Sequence, residues 1–461
     1  MDRDTADVQV DSFPGERARE WVERHHRHAA PSTYVYDFVW DITEDAVGPF
    51  CTDVDGNVLL DFTAHVASAP LGYNNPKILD KLEEFSLVDP TKIAGQDFYV
   101  SGGGSVDDPD LPGPTQLLER LTDVTSHYDL DTAFLSNSGA EAVENAVKIC
   151  YADRGHRGVT FDGAFHGRTL GALSLNRSKA VQRRGFPEVP GVLSLPYCAC
   201  EGECTCGWKT DGPGGNRLAD ALHPERGPIP AEEVAFVILE PQQGEGGYRV
   251  ANDEFARDIA AAKEEHDFAV ISDEIQSGLG RTGEMWGIDH LDLDPDVITS
   301  AKGLRVGATV ANEDLFPDET GRLSSTWGAG DVLASAQGVA TIDAIHEHDL
   351  LANVRERGRQ FSESLEDLDS EYVTDVRGRG LMLAIELDSK DRRGALMKAC
   401  LKRGLLTLGC GHRTLRLLPP LDATEREIAL GASILADALA DPLVARASAG
   451  PSAGGDDGDA I

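Results

Sequence analysis

TAFLSNSGAEAVENAVKICYADRG, residues 132–155, contains a change of period. TAFLS is a short apolar run that reads as a strand, and NSG reads as a turn. From Gly139 onward, small and apolar residues recur at i, i+3 and i+4 until the glycine stop at Gly155, which is a helical pattern. Strand, tight turn and helix in succession form the unit from which helix-covered parallel sheets are built. The same alternation continues on both sides. GPTQLLERLTDV (113–124) reads as a helix, and Gly158–Phe161, Gly191–Leu195, Val234–Leu239 and Phe268–Ser272 read as strands. The expectation is an α/β protein with a mostly parallel sheet across residues 115 to 310.

The flanks read differently. A helix is expected around Glu16–His28, whose His25, His26 and His28 fit a solvated face. A hairpin follows, with Phe50–Val54 and Val58–Phe62 joined by Asp55-Gly56-Asn57. Helical patterns at Val332–His346 and Leu350–Leu368 lead to strand candidates Gly380–Leu387, Leu405–Leu408 and Leu415–Leu418. The expected organisation is an N-terminal segment (1–75) belonging to a small α+β domain, a large domain (76–335), the rest of the small domain (336–440) and a disordered acidic tail (441–461).

Charge narrows the function classes. The chain carries 79 acidic against 42 basic residues, a formal charge of −37. That field opposes nucleic acid and anionic membranes, so neither is expected as a partner. The excess is spread along the chain, as on a salt-adapted, halophilic protein surface. The N-terminus has neither a basic nor an apolar leader region, and no apolar run is long enough to span a membrane; a cytoplasmic location is the expectation.

Polar residues cluster where predicted strands end, the edge at which open α/β sheets bind ligands. Ser138-Gly139-Ala140 opens a helix, whose free N–H groups and dipole favour a phosphate, although the same residues make a good N-cap. Glu240 and Asp273-Glu274 end two other strands. Lys302, in SAKGLRVG (300–307), follows the apolar pair Val297-Ile298 in a chain whose bases are mostly arginine. A lysine for an aldehyde, a carboxylate for a pyridine nitrogen and a cup for a phosphate together fit pyridoxal 5′-phosphate.

The ordered motifs NSGAEAVENAVK, FDGAFHGRTLGALSL, ILEPQQGEGG, ISDEIQSGLGRTG, SAKG, STWG, RGRGLM and LRLLPPL carry a resemblance over residues 45–435. The sequence resembles the class III (ω-amino acid) aminotransferases of the pyridoxal-phosphate-dependent fold type I enzymes. The resemblance implies that Lys302 binds the cofactor covalently and shuttles the proton, and that Asp273 keeps the ring nitrogen protonated. An ion pair at about 4 Å in an effective dielectric near 20 is worth about 4 kcal/mol, or about three pKa units. It further implies that Phe165 stacks on the ring with His166 beside it and that Gln276 meets the phenolic oxygen. Ser138, Gly139 and Ala140 would hold the phosphate, and Glu240 would support the site. Thr326 would reach the phosphate of a partner subunit, so a homodimer or larger assembly is expected. Arg416 would clamp a substrate carboxylate, Glu245 would pair with it when no carboxylate is bound, and Arg168 is a further candidate for a second carboxylate.

The implied activity is transfer of the terminal amino group of an ω-amino acid, 4-aminobutyrate first, to 2-oxoglutarate by a ping-pong route. SAKGLRVGATVA is shorter than the family pattern, and FTAHVASAPLGYNNP (62–76) and STWG lean toward lysine 6-aminotransferases. Acetylornithine and ornithine aminotransferases are further alternatives, and amino-acid racemases and aminomutases share the same residues. A nicotinamide oxidoreductase is excluded: GLGRTG (278–283) matches G-x-G-x-x-G, but no helical pattern follows it. PYCACEGECTCGW (196–208) holds Cys198, Cys200, Cys204 and Cys206. Their C-x-C…C-x-C spacing departs from the usual zinc pattern, so the expectation is an exposed loop and no metal, with a four-thiolate site as the lesser reading.

Overall fold

The computed structural model describes residues 1–32, 38–84, 113–323 and 332–447. Two compact units emerge: Lys77–Leu351, and a second made of Met1–Pro76 with Ala352–Ile461.

Lys77–Leu351 is organised on a seven-stranded sheet. Its order is Thr132–Ser136, Gly307–Ala311, Val297–Ser300, Ala269–Asp273, Val234–Leu239, Arg157–Phe161 and Val192–Leu195. Gly307–Ala311 is antiparallel to both of its neighbours, and the remaining pairings are parallel. The interior strand VAFVIL is buried along its whole length, as expected of a strand covered on both faces. Helix Gly139–Asp153 turns Ala142, Val143, Ala146, Ile149 and Cys150 inward, where they pack with Phe236, Ile238, Ile271 and Val297. That stripe is the period read from the sequence, and it fixes the helix against the sheet. Ser136, Leu239, Asp273 and Ser300 all end strands running in one direction, so the residues that follow them share one edge of the sheet.

Helix Val332–Glu347 belongs wholly to this unit, and the boundary expected near 335 falls inside it. Arg120 Nε bonds Asp343 Oδ1 at 2.8 Å, tying it to helix Pro114–Asp123. Helix Asp253–His266, which turns Phe255, Ala256, Ile259 and Ala262 inward, is started by Asn252, whose side chain accepts from the Phe255 N–H at 2.8 Å.

The second unit interleaves the two chain ends. Leu405–Leu406 pairs in parallel with Val58–Asp61, which pairs antiparallel with Phe50–Thr52. A four-stranded antiparallel sheet runs Val373–Arg379, Met382–Leu387, Thr414–Leu417, Leu408–Cys410. Arg3 bonds Asp422 and Glu427, each at 2.8 Å, closing the first residues onto the last helices. Ala64, His65, Val66 and Ala67 lie consecutively in the left-handed region, with φ from 42° to 68°. Such conformations are strained for residues bearing a Cβ. This turn borders an apolar cavity of about 240 Å³ lined by Phe38, Trp40, His65, Val66 and Met397. Among the described residues no helix is long and apolar enough to cross a membrane. The disordered tail expected from 441 starts later than that: Pro442–Arg446 forms a short helix capped by Asp441 with Val444 buried, and the residues beyond 447 lie outside the described residues.

Candidate functional site

Asp273 closes strand Ala269–Asp273 with its side chain 3% exposed. Its Oδ2 lies 2.7 Å from His166 Nδ1, and its Oδ1 accepts from the Ile275 N–H at 3.1 Å and from Thr299 Oγ1 at 3.4 Å. A buried carboxylate needs such donors. Because the acceptor is a carboxylate, Nδ1 carries the proton. The outer ring nitrogen, Nε2, is buried and has no hydrogen-bond partner among the described residues.

His166 is aimed by Asn176. The Asn176 Oδ1 accepts from the His166 N–H at 2.6 Å, and its Nδ2 donates to the Gly167 carbonyl at 2.7 Å. Asn176 was not singled out in the sequence; its only local signal is its place at the end of FDGAFHGRTLGALSLN. Phe165 is half-buried beside His166. Exposed Arg168 sets its guanidinium 5.9 Å from the centre of the Phe165 ring, so its described contact is aromatic rather than acidic.

Glu240 follows strand Val234–Leu239 and is 7% exposed. Its two oxygens take the N–H of Phe165 at 3.0 Å and that of Gly244 at 2.8 Å. It therefore positions the aromatic residue and the QQGEGG turn together. Burial pushes its carboxyl up to about 7, although His166 and the two N–H donors work in the opposite direction. Tyr197, missed in the sequence, donates its hydroxyl to the Glu240 and Pro241 carbonyls at 2.9 and 3.1 Å. Glu274 organises the next turn, taking Ser272, Ser277 and the Gly287 and Ile288 N–H groups on its two oxygens. GLGRTG continues that turn into a single 3₁₀ turn, Gly287–His290, without the helix a dinucleotide site requires.

Lys302 follows strand Val297–Ser300 directly, is half-buried and sits at φ 37°. Its strand pairs with that of Asp273 in the register Asp273↔Thr299, which brings both chain segments to the same sheet edge. Glu245 lies on the turn after Glu240, and its Oε2 is 3.4 Å from Lys179 Nζ. Arg416 is on the other unit, 6% exposed in strand Thr414–Leu417. Thr326 and the STWG stretch lie outside the described residues.

Three features fit a phosphorylated pyridine aldehyde. One is the buried Asp273–His166 pair, suited to a protonated ring nitrogen. Another is the buried Gln276 amide, whose Oε1 has no partner among the described residues. The third is the start of helix Gly139–Asp153. There Ser138 Oγ accepts from the Glu141 N–H at 3.3 Å, so the capping reading is correct, while the N–H groups of Gly139 and Ala140 precede any intrahelical acceptor. A Cβ on Gly139 would fall 2.8 Å from Ile275 Cδ1. Gly167, at φ 140°, would place one 2.7 Å from Ala140 Cβ, so the His166 loop packs closely on the helix start.

Comparison with known proteins agrees with this chemistry. The family profile described as aminotransferase class III matches residues 35–439. An acetylornithine aminotransferase of Caldanaerobacter subterraneus subsp. tengcongensis is 31% identical over 402 residues, 84% of this chain and 92% of that protein. An alanine/serine racemase of Pyrococcus horikoshii is 29% identical over 94% of this chain and 92% of its own length. The structure of the lysine aminotransferase from M. tuberculosis in the internal aldimine form superposes with a TM-score of 0.78 at 26% identity. It covers 94% of this chain and all of that one. With a family profile matching residues 35–439, the chain belongs to the class III aminotransferases, enzymes that use pyridoxal 5′-phosphate.

Proposed function

We propose that the enzyme moves the terminal amino group of an ω-amino acid to 2-oxoglutarate, and that it works as a homodimer. The observation that carries this reading is Glu245. It stands on a glycine-framed turn beside the cofactor-site residues, and its Oε2 pairs with Lys179 Nζ across a partly exposed 3.4 Å contact. Pairs of that kind are worth about 1 kcal/mol or less. A carboxylate in a pair of that strength can exchange partners, as suits a site that admits an amine donor and a dicarboxylate acceptor in turn. Arg416 is the cation proposed for the acceptor's α-carboxylate, in a bidentate fork that lysine would not reproduce.

When bound, pyridoxal phosphate supplies the electron sink that makes a proton on the amine-bearing carbon removable. Asp273 holds negative charge where the ring nitrogen needs it, and His166 and Thr299 fix its orientation. Gly139 and Ala140 offer N–H groups to the phosphate, and Gln276 offers its amide to the phenolic oxygen. Lys302 Nζ would take the proton from the amine-bearing carbon of the bound substrate and deliver it to the cofactor. Its strained φ fixes the side chain's departure from the strand end.

4-Aminobutyrate is the simplest donor of the proposed class, and lysine, ornithine and N-acetylornithine extend it. Aminotransferases acting on the last three are among the relatives. A second reading, amino-acid racemisation, is favoured by the Pyrococcus match over 94% of the chain. One experiment separates them: a donor panel with 2-oxoglutarate in molar potassium chloride, followed by glutamate formation. Loss of optical rotation from single enantiomers without 2-oxoglutarate would replace transamination with racemisation.

A further inference from the structure

We propose that Cys198, Cys200, Cys204 and Cys206 form a structural tetrathiolate zinc site. All four sulfur atoms lie within 4.8 Å of one another. Cys198 and Cys204 are 3.8 Å apart, and Cys204 and Cys206 are 3.5 Å apart. With zinc–sulfur bonds of about 2.3 Å, the edge of a tetrahedral site is about 3.8 Å. The loop thus gathers its sulfurs at the spacing of zinc ligands, well beyond the disulfide length of about 2.05 Å.

The unusual spacing is accommodated by the backbone. Two C-x-C arms are joined by Glu201-Gly202-Glu203, with Gly202 at φ 76°, and Gly207, at φ 82°, follows the last cysteine. Both turns use the left-handed region, where glycine is unstrained, and no side chain crowds either position. The chain can therefore double back within a few residues and present both arms to one point.

The surroundings suit a negatively charged metal centre. Asn252 Nδ2 donates to Cys198 Sγ at 3.2 Å and to the Cys200 carbonyl at 2.9 Å, and the Lys209 N–H donates to Cys204 Sγ at 3.5 Å. Donors to coordinated sulfur orient the ligands and spread the charge left by four thiolates on one divalent ion. Thiolate ligands select zinc over magnesium or calcium, and four protein ligands leave no open position, so the site is structural rather than catalytic. Binding the ion to four thiols releases four protons and needs no oxidant or reductant.

Its place in the fold says what the site would hold. Tyr197, beside the first ligand, supports the Glu240 and Pro241 carbonyls. Trp208, two residues after the last ligand, is fully buried, packs edge-on to Phe255 at 4.6 Å and donates to Asp258 at 2.7 Å. The ion would fasten the loop between these two anchors. One of them carries the turn from which Glu240 positions Phe165.

The test is elemental analysis of the desalted, cofactor-loaded enzyme together with thiol titration after denaturation. The expected result is about one zinc per chain, eight titratable thiols, and zinc below about a tenth per chain in Cys204→Ser and Cys200→Ser. Replacing zinc with cobalt(II) should give the visible bands of a tetrahedral thiolate in the wild type, a readout that needs no variant to fold. Chelation should lower the wild-type melting temperature, and added zinc should restore it. Iron instead of zinc, four thiols missing as disulfides, no ion retained after zinc is supplied, or full zinc in both serine variants would each overturn the proposal.

Discussion

His166 Nδ1 lies 2.7 Å from Asp273 Oδ2 with both side chains closed to water. The imidazole therefore acts on the carboxylate's orientation and charge. Removing it leaves a buried carboxylate short of one donor. A hydrogen bond to a charged group contributes about 1.5–3 kcal/mol, which corresponds to about 10- to 100-fold in rate. His166→Ala should lower kcat/KM by that factor and weaken cofactor retention, while Asp273→Ala should cost more. Steady-state kinetics with cofactor titration checks this; a His166→Ala enzyme within twofold of wild type would show that the pair is only structural.

Lys302→Ala should abolish turnover and the visible absorption of lysine-bound cofactor. Lys302 leaves the sheet at the edge where Asp273 ends the neighbouring strand. Borohydride reduction followed by peptide mapping reads the attachment directly. Cofactor fixed to a different lysine would refute the assignment.

Much of this edge was legible in the sequence because strand, turn and helix there are local patterns. VAFVIL and FAVIS carry the apolar runs of buried strands, and Glu240 and Asp273-Glu274 stand at their ends. What stayed hidden depends on contacts between distant residues. Asn176 aiming His166, Tyr197 beneath Glu240 and Lys179 beside Glu245 have no periodic signature. Strand Val373–Arg379 was missed for another reason. Its residues VTDVRGR are charged and partly exposed on an edge, so they lack the apolar run that marks a buried strand. The four cysteines looked like a variable loop because their spacing is unusual, and only the fold shows that their sulfurs converge.

Glu274 gives stability a pH dependence of defined sign. Its carboxyl is fully buried, and burial pushes it up to about 7 despite four hydrogen-bond donors. The folded chain thus holds this proton more tightly than the unfolded chain, whose ordinary value is 4.5. The stability it contributes is complete below 4.5 and is lost as pH rises through 7, by at most about 1.4 kcal/mol per pH unit. Glu274→Gln, being permanently neutral, should be less stable throughout because it loses acceptors. Its deficit should narrow between pH 5 and pH 7 in thermal melts at saturating cofactor. A deficit that widens over that interval would contradict the sign.

Melting temperature should rise with potassium chloride up to molar concentrations. A formal charge of −37 repels itself. Screening shortens the range of that repulsion from about 10 Å at 0.1 M to about 3 Å at 1 M. A melting temperature that is flat or falls with salt would remove the salt-adapted reading.

Glu245 and Lys179 should act oppositely on the two half-reactions. Their 3.4 Å pair is partly exposed, with side chains 17% and 19% accessible, so it is weak enough to exchange. In the proposed cycle Glu245 rests against Lys179 when a dicarboxylate enters, which keeps its charge from repelling the incoming carboxylate. It swings out when the amine donor is present, the state in which no α-carboxylate is bound. Glu245→Gln removes the charge altogether. Single-turnover reaction with glutamate should then hold or rise, and reaction with the ω-amine donor should fall. Lys179→Met removes the resting place instead, so the glutamate reaction should fall while the donor reaction holds. Each change should be within about fivefold, the rate equivalent of about 1 kcal/mol. The Lys179→Met effect should also shrink in molar salt, where the pair is already screened. Equal losses in both half-reactions for both variants would make the pair a structural tie and end the exchange proposal.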